Sequence, residues 1–283
     1  YLGGAILHLD ANFRIVRMLR GGLEGFSRPF DVVESPDGSL FVSEYGTNQI
    51  ARCAPSGRKI ATFGGSGIEP GKFLGPQYLA LDDAGYLYVT DYGNRRVSKF
   101  DSDGRHVLSF GSPRDSFPGF QAPSGIAVQG DRVFVADNTA ARVYEFDRSG
   151  NYYQSLAADR LTSPEGLSPH RDNTLLIADG NRIRELDTTV DVIRTIGETA
   201  PYARRITSVA VDANGQILAT DFDANKLLML TRTTDLFGGL FVQIERVESS
   251  EFPQIYVEAS VTDRDGNPVV GLKPENFVIT DNG

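Results

Sequence analysis

The chain has 283 residues, 40% hydrophobic and 23% charged, with 30 glycines, 14 prolines and a single cysteine. That is an ordinary soluble composition, rich in turns, enough for one large domain or two smaller ones and incapable of an internal disulfide. A formal charge of −9 repels phosphate, so nucleic acid is not an expected partner, and no apolar run approaches the roughly 20 residues of a membrane helix, so membrane insertion is not expected either.

The chain opens at Tyr1-Leu2-Gly3-Gly4, with neither an initiator Met nor a signal peptide, and reads as a processed start. Residues 1–25 hold two short apolar runs, Ala5 to Leu9 and Val16 to Leu19. Five longer units follow, opening at Pro29-Phe30-Asp31, Pro76-Gln77-Tyr78, Pro123-Ser124-Gly125, Pro164-Glu165-Gly166 and Ile206-Thr207-Ser208. Their spacings are 47, 47, 41 and 42 residues, the period of a four-stranded propeller blade. Within each unit a strand leads through a turn such as Pro36-Asp37-Gly38 to a second strand ending on an acid: Glu44, Asp91, Asp137, Asp179 or Asp221. A third strand, a polar turn and a fourth strand complete the pattern, and short runs of Val, Ile, Phe and Tyr cut by Gly/Asp turns mark all-β structure. Residues 1–25 match only the third and fourth strands of a unit. Five units and a half predict a six-bladed ring over residues 1–245. The incomplete blade is explained by trimmed upstream residues or by later residues supplying its inner strands. Cys53 falls in a predicted strand and is expected to be buried and inert.

Pro123-Ser124-Gly125-Ile126-Ala127-Val128, then Phe134-Val135-Ala136-Asp137, then Ala141-Arg142-Val143 resemble the NHL repeat, and Asp91, Asn94, Arg96 and Val97 repeat the pattern. The resemblance implies an NHL-type propeller, and says little of function because the family includes binding proteins, sensors and lyases. It also implies that each strand-end acid and the basic residue after it tether the second strand to the third. The pairs are Asp91 with Arg96, Asp137 with Arg142, Asp179 with Arg182 and Asp221 with Lys226, with Glu44 and Gln49 standing in the first unit. A functional ring of carboxylates is the other reading.

Residues just after each blade opening face the axis of a propeller: Asp31, Gln77, Tyr78, Ser124, Glu165, Thr207 and Ser208. Tyr45, Tyr92 and Phe222 follow the strand-end acids and form a candidate aromatic patch on one face. A zinc lyase or hydrolase needs about three converging imidazoles, and His8, His106 and His170 fall in different parts of different blades. A calcium version needs oxygens, and Asp31 and Glu165 belong to non-adjacent blades. Asp221-Phe222-Asp223-Ala224-Asn225 and Asp263-Arg264-Asp265-Gly266-Asn267 resemble calcium loops but read more simply as Asp/Asn turns. No nucleophile elbow, phosphate loop or Cys-x-x-Cys is present. No metal and no cofactor are therefore expected.

After residue 245 the repeat stops. Residues 246–283, with Asp263-Arg264-Asp265-Gly266-Asn267-Pro268-Val269-Val270-Gly271-Leu272, resemble the opening of immunoglobulin-like modules of bacterial surface and exported proteins; completing the half-blade is the second use of this segment. The expectation is a non-catalytic scaffold binding protein in an envelope or extracellular assembly, outside the cytoplasm. An axial-metal lyase or hydrolase and an RNA-binding propeller are the alternatives.

Overall fold

The computed structural model describes residues 4–10, 14–21, 23, 25–114, 116–196, 203–212, 215–230, 241–248 and 256–262. The chain divides into two compact units, Tyr1–Met229 and Leu230–Gly283. The first begins with a two-stranded antiparallel hairpin, β1 (Ile6–Leu9) and β2 (Ile15–Leu19). Blade 1 is β3 (Pro29–Glu34), β4 (Leu40–Glu44), β5 (Gln49–Cys53) and β6 (Lys59–Gly64). Blade 2 is β7 (Pro76–Leu81), β8 (Leu87–Asp91), β9 (Arg96–Phe100) and β10 (His106–Phe110). Blade 3 is β11 (Pro123–Gln129), β12 (Arg132–Asp137), β13 (Arg142–Asp147) and β14 (Tyr152–Leu156). Blade 4 is β15 (Pro164–Pro169), β16 (Thr174–Asp179), β17 (Arg182–Asp187) and β18 (Val192–Ile196). Blade 5 has three described strands, β19 (Ile206–Val211), β20 (Ile217–Asp221) and β21 (Lys226–Leu230). In the second unit β22 (Phe241–Glu248) pairs antiparallel with β23 (Tyr256–Thr262). β22 begins inside the stretch that the repeat reading counted with the propeller. Residues 263–283, which carry the immunoglobulin-like motif and the second Asp-rich loop, lie outside the described residues.

The alternation that makes a strand amphipathic here has an apolar residue on both faces. Val133 and Val135 of β12 pack toward blade 2 with Tyr78 and Tyr88, while Phe134 and Ala136 pack toward blade 4 with Leu175 and Ile177. In blades 1 to 4 the second strand lies between two packed layers, so it reads as a continuous apolar run. Burying a Val or Phe there contributes roughly 1.5–3 kcal/mol. Turns follow the Asp/Gly chemistry of the sequence: Asp101 Oδ1 accepts the amides of Asp103 and Arg105, and Asp37 Oδ1 accepts that of Ser39.

Five blades are present among the described residues, and the expectation of six is corrected. No described strand pairs with the second edge of β1, so the hairpin does not become a blade. It serves instead as a cover: Leu19, with Phe26, packs against Val42, Ala51 and Cys53 of blade 1. Cys53 is fully buried, and burial pushes its thiol up to about 11, which leaves it protonated and unreactive.

The strand-end acids are tethers, but to backbone. Glu44 accepts the amide of Ser27, Asp91 that of Leu74, Asp137 those of Gln121 and Ala122, Asp179 those of Thr162 and Ser163, and Asp221 those of Arg204 and Arg205. Each carboxylate thus ties the second strand to the segment leading into its own blade. Of the expected acid–base pairs only Arg96 with Asp91 forms, at 3.1 Å. Arg142, Arg182 and Lys226 do not reach their acids; Arg142 turns to the carbonyl of Ala140. Glu44 pairs with Lys59 of the fourth strand at 2.9 Å. The physical reason is that the buried carboxylates are already saturated by amides that have no other partner, and long basic side chains are solvated more cheaply outside.

Candidate functional site

Every first strand is irregular at the same place. Its register with the second strand shifts between Pro29 and Val32, Pro76 and Leu79, Pro123 and Ile126, Pro164 and Leu167, and Ile206 and Ser208. These bulges fall on the residues that follow each blade opening, and a bulge re-aims side chains out of the pleat. As a result Asp31, Gln77, Tyr78 and Ser124 all line one cavity of about 950 Å³ at the hub. Glu165, Thr207 and Ser208 complete its wall from blades 4 and 5.

The hub is tight on one side and open on the other. A Cβ on Gly125 would lie 2.1 Å from the carbonyl oxygen of Glu165, and one on Gly166 would lie 2.8 Å from that of Thr207. Only glycine permits this approach of backbones between blades 3, 4 and 5. Side chains join blade to blade elsewhere: the Ser43 hydroxyl donates to the carbonyl of Gln77 at 2.6 Å, and the Ser124 hydroxyl to that of Pro164 at 2.9 Å. Asp31 accepts the amide of Leu79 at 2.9 Å, which joins blade 1 to blade 2. Tyr78 reaches furthest, donating its phenol to the carbonyl of Thr207 in blade 5 at 2.7 Å.

Five charged residues line the cavity: Arg205 and Glu165, which pair, and Asp31, Asp221 and Lys226. Arg205 donates to Glu165 at 2.8 Å, and its guanidinium lies 5.4 Å from the centre of the Phe222 ring. Burial pushes the Asp31 carboxyl up to about 6, against the opposing effect of the amides of Leu79 and Val32. Phe30 packs edge-on to Tyr78 at 5.0 Å. Tyr92 and Phe222, both 44% exposed, sit at the cavity mouth. Tyr45 stands apart from that lining, 6.5 Å from Phe30.

Among the described residues no three His, Cys, Asp or Glu side chains converge as a metal site. His170 is hydrogen-bonded to Glu185, and His106 to Ser109, each within its own blade. The first Asp-rich loop closes on itself, with Asp221 accepting the amide of Ala224. Phe30 and Arg205 also line the cavity, and neither is among the axis-facing residues expected from the sequence. The repeat alignment itself carried the signal for Phe30, which is the first-unit counterpart of Gln77, Ser124, Glu165 and Thr207.

Fold and hub together define an all-β propeller of radial blades with an aromatic-rimmed central cavity of mixed polar and apolar lining. No protein-family model matches the chain, and no curated protein matches it by sequence. Among solved structures it is similar to a streptogramin B lyase, with 18% identity and a TM-score of 0.60 over 82% of this chain and 77% of that one. It is similar to a chain in a nidogen/laminin complex, at 17% identity and TM-score 0.60 over 79% of this chain and 84% of that one. The WD40 repeats of RRP9 are likewise similar, at 17% identity and TM-score 0.58, covering 76% and 62%. At such identities the likeness is one of fold.

Proposed function

We propose that this propeller is a non-catalytic scaffold of the NHL type, binding a partner protein at the hub mouth in an assembly outside the cytoplasm. One observation carries the reading: Tyr92 and Phe222 are held half-exposed at the rim of a cavity whose ion pair, Arg205 with Glu165, stacks on that rim. Tyr and Arg over a partly desolvated pocket are the residue types that dominate protein interfaces. The rigid blades fix them in place, so little ordering is needed on binding. The extracytoplasmic setting rests on the likeness of residues 263–272 to modules of exported bacterial proteins. A nidogen/laminin complex in the same fold supports protein binding as a use of it.

The test is capture of partners from envelope and extracellular fractions on the immobilised protein. A partner retained by the wild type and lost with Tyr92→Ala and Phe222→Ala supports the reading; retention unchanged by both removes it. The cavity volume and the fold of a streptogramin B lyase favour a second reading, processing of a small molecule in the hub. Calorimetric titration with divalent metal distinguishes the two, because the lyase reading as framed needs an axial ion. The RNA-binding reading predicts salt-sensitive retention on immobilised RNA, which the charge of −9 opposes.

A further inference from the structure

At one end of blades 1 and 2, the segments leading into each blade meet the turns between its second and third strands. The amide of Tyr45 donates to the carbonyl of Arg28 at 3.1 Å, and that of Tyr92 to the carbonyl of Gly75 at 3.2 Å. Gly75 donates in turn to the side-chain carbonyl of Asn48 at 2.7 Å, and a Cβ on it would lie 2.9 Å from the Tyr45 ring. Tyr45 of blade 1 therefore rests on the lead-in of blade 2. Gly93 donates to the carbonyl of Leu74 at 2.7 Å, and Arg95 to that of Tyr92 at 3.2 Å. Arg28, Tyr45, Leu74, Tyr92 and Arg95 thus form one continuous strip across the junction of two blades. Tyr45, Leu74 and Tyr92 are 37%, 39% and 44% exposed, and both arginines are exposed. The strip does not depend on how the ring closes. Blade 2 is packed on one face by blade 1, through Phe41, Ile50 and Leu87, and on the other by blade 3, through Tyr88 and Val133. A further strand pair in the ring would cover blade faces, whereas these residues stand on turns at the strand ends.

The charge of the strip is opposite to that of the molecule. Among the described residues of its four segments, 25–28, 45–48, 65–75 and 92–95, the exposed charged side chains are Arg28, Lys72 and Arg95 against Glu69. Glu44 and Asp91, buried beneath, are paired with Lys59 and Arg96 and leave the three exposed bases without a described carboxylate partner. The Lys72 ammonium donates only to the carbonyl of Gly64. We propose that this strip binds an acidic segment of a partner protein, with carboxylates on Arg28, Lys72 and Arg95 and apolar side chains on Tyr45, Leu74 and Tyr92. The inference deepens the protein-binding reading and rests on it: it names the partner's charge and extends the footprint from Tyr92 at the hub mouth to Tyr45. Arginine beside tyrosine on a rigid turn is the pairing that anchors interfaces, and charge-assisted bonds to carboxylate give it direction. Exposed charges more than about 8 Å apart are screened at physiological salt. The strip, and not the net charge of −9, therefore sets the sign that a bound segment meets. A nucleic-acid strand carries a phosphate at every nucleotide and would run past three bases onto an acidic surface, which a short acidic peptide avoids.

The experiment uses the 283-residue protein and a fluorescein-labelled peptide in which Glu alternates with Leu and Phe. Anisotropy is expected to show saturable binding that weakens as salt is raised, and none for the same peptide with Lys in place of Glu. Arg28→Glu and Arg95→Glu are each expected to weaken binding about tenfold. Both side chains are exposed, so the variants keep their fold, which circular dichroism checks. Arg105→Glu makes the same change of charge in the turn after β9, at the other end of blade 2, and is expected to leave binding unchanged. No saturable binding overturns the proposal. So does an equal loss with Arg105→Glu, which reports net charge alone, and so does tighter binding of a labelled oligouridine than of the acidic peptide. Partner capture through Tyr92 and Phe222 is measured independently of all three, so the two readings fail separately.

Discussion

Asp137 and Asp91 occupy the same repeat position and bury the same carboxylate, yet the arginines opposite them do different work. Asp137 accepts the amides of Gln121, Ala122 and Ala140, three donors that an alanine would leave stranded. Asp137→Ala is expected to cost about 3–4 kcal/mol in urea unfolding, since each buried orphan donor costs about 1–3 kcal/mol. Arg142→Ala should cost about 0.5 kcal/mol, because the guanidinium makes one local backbone bond and a loose 3.8 Å contact with the exposed Asp159. Arg96 is different. It pairs with Asp91 and donates to the carbonyls of Ile68, Glu69 and Lys72, so it fastens the whole lead-in loop of blade 2. Arg96→Ala is expected to cost about 2–3 kcal/mol, several times the loss at Arg142.

Asp31 supplies the prediction in pH. Its folded pKa, about 6, lies above the ordinary carboxylate value of 3.8, because burial disfavours the charge. The folded state therefore holds a proton that the unfolded chain has released between about pH 4 and 6. The stability contributed by this group is complete below the lower value and is lost as pH rises through the upper one. The loss is on the order of 2 kcal/mol once partial exposure is allowed for. Denaturation midpoints measured from pH 4 to 7 should fall across that window in the wild type. In Asp31→Asn the part of the slope due to this group should vanish.

At the scale of the element, the blades were legible because the strands are short, the second strands of blades 1 to 4 are apolar on both faces and the turns carry Asp and Gly, so the chain repeats at a readable spacing. The axis-facing positions were legible for the same reason, since one aligned position names all of them. What stayed hidden depends on contacts between units. The bulge after each opening residue has no shared residue signature, since the fifth unit bulges after Ile206 and not after a proline, and the choice of backbone amide over basic side chain by Asp137, Asp179 and Asp221 is decided by which donors the fold strands nearby. Gly125 shows how closely the elements meet. Gly125→Ala would drive a methyl into the carbonyl of Glu165, so blades 3 and 4 must separate. That substitution is expected to cost more than about 3 kcal/mol. Gly85→Ala sits in an open turn at φ +82° with no atom near a new Cβ, and should cost only about 1 kcal/mol of backbone strain. Chemical denaturation of the pair separates close packing from the common cost of losing a glycine.

At the scale of the propeller, the half unit at residues 1–25 was read as the start of a sixth blade, and the reason it is not one has consequences for motion. A ring in which every blade is covered on both faces has no first place to open. Among the described residues blade 5 is the one whose third strand is exposed, at Leu227 and Met229. Blade 5 is held instead by β15 on one side and by the Tyr78 phenol, which crosses the hub to the carbonyl of Thr207. That bond joins residues 129 apart in sequence and is a direct link from blade 2 to blade 5. Removing it with Tyr78→Phe keeps the ring and its packing against Phe30, so the loss should be about 1 kcal/mol and local. Native-state hydrogen exchange should show it as faster exchange in β19 to β21 by about fivefold, with β8, β12 and β16 unchanged. Uniform acceleration in all blades would mean that the ring opens as one unit and that blade 5 is no weaker than the rest. Selective acceleration would identify blade 5 as the blade that opens most readily and the Tyr78 phenol as the link that restrains it.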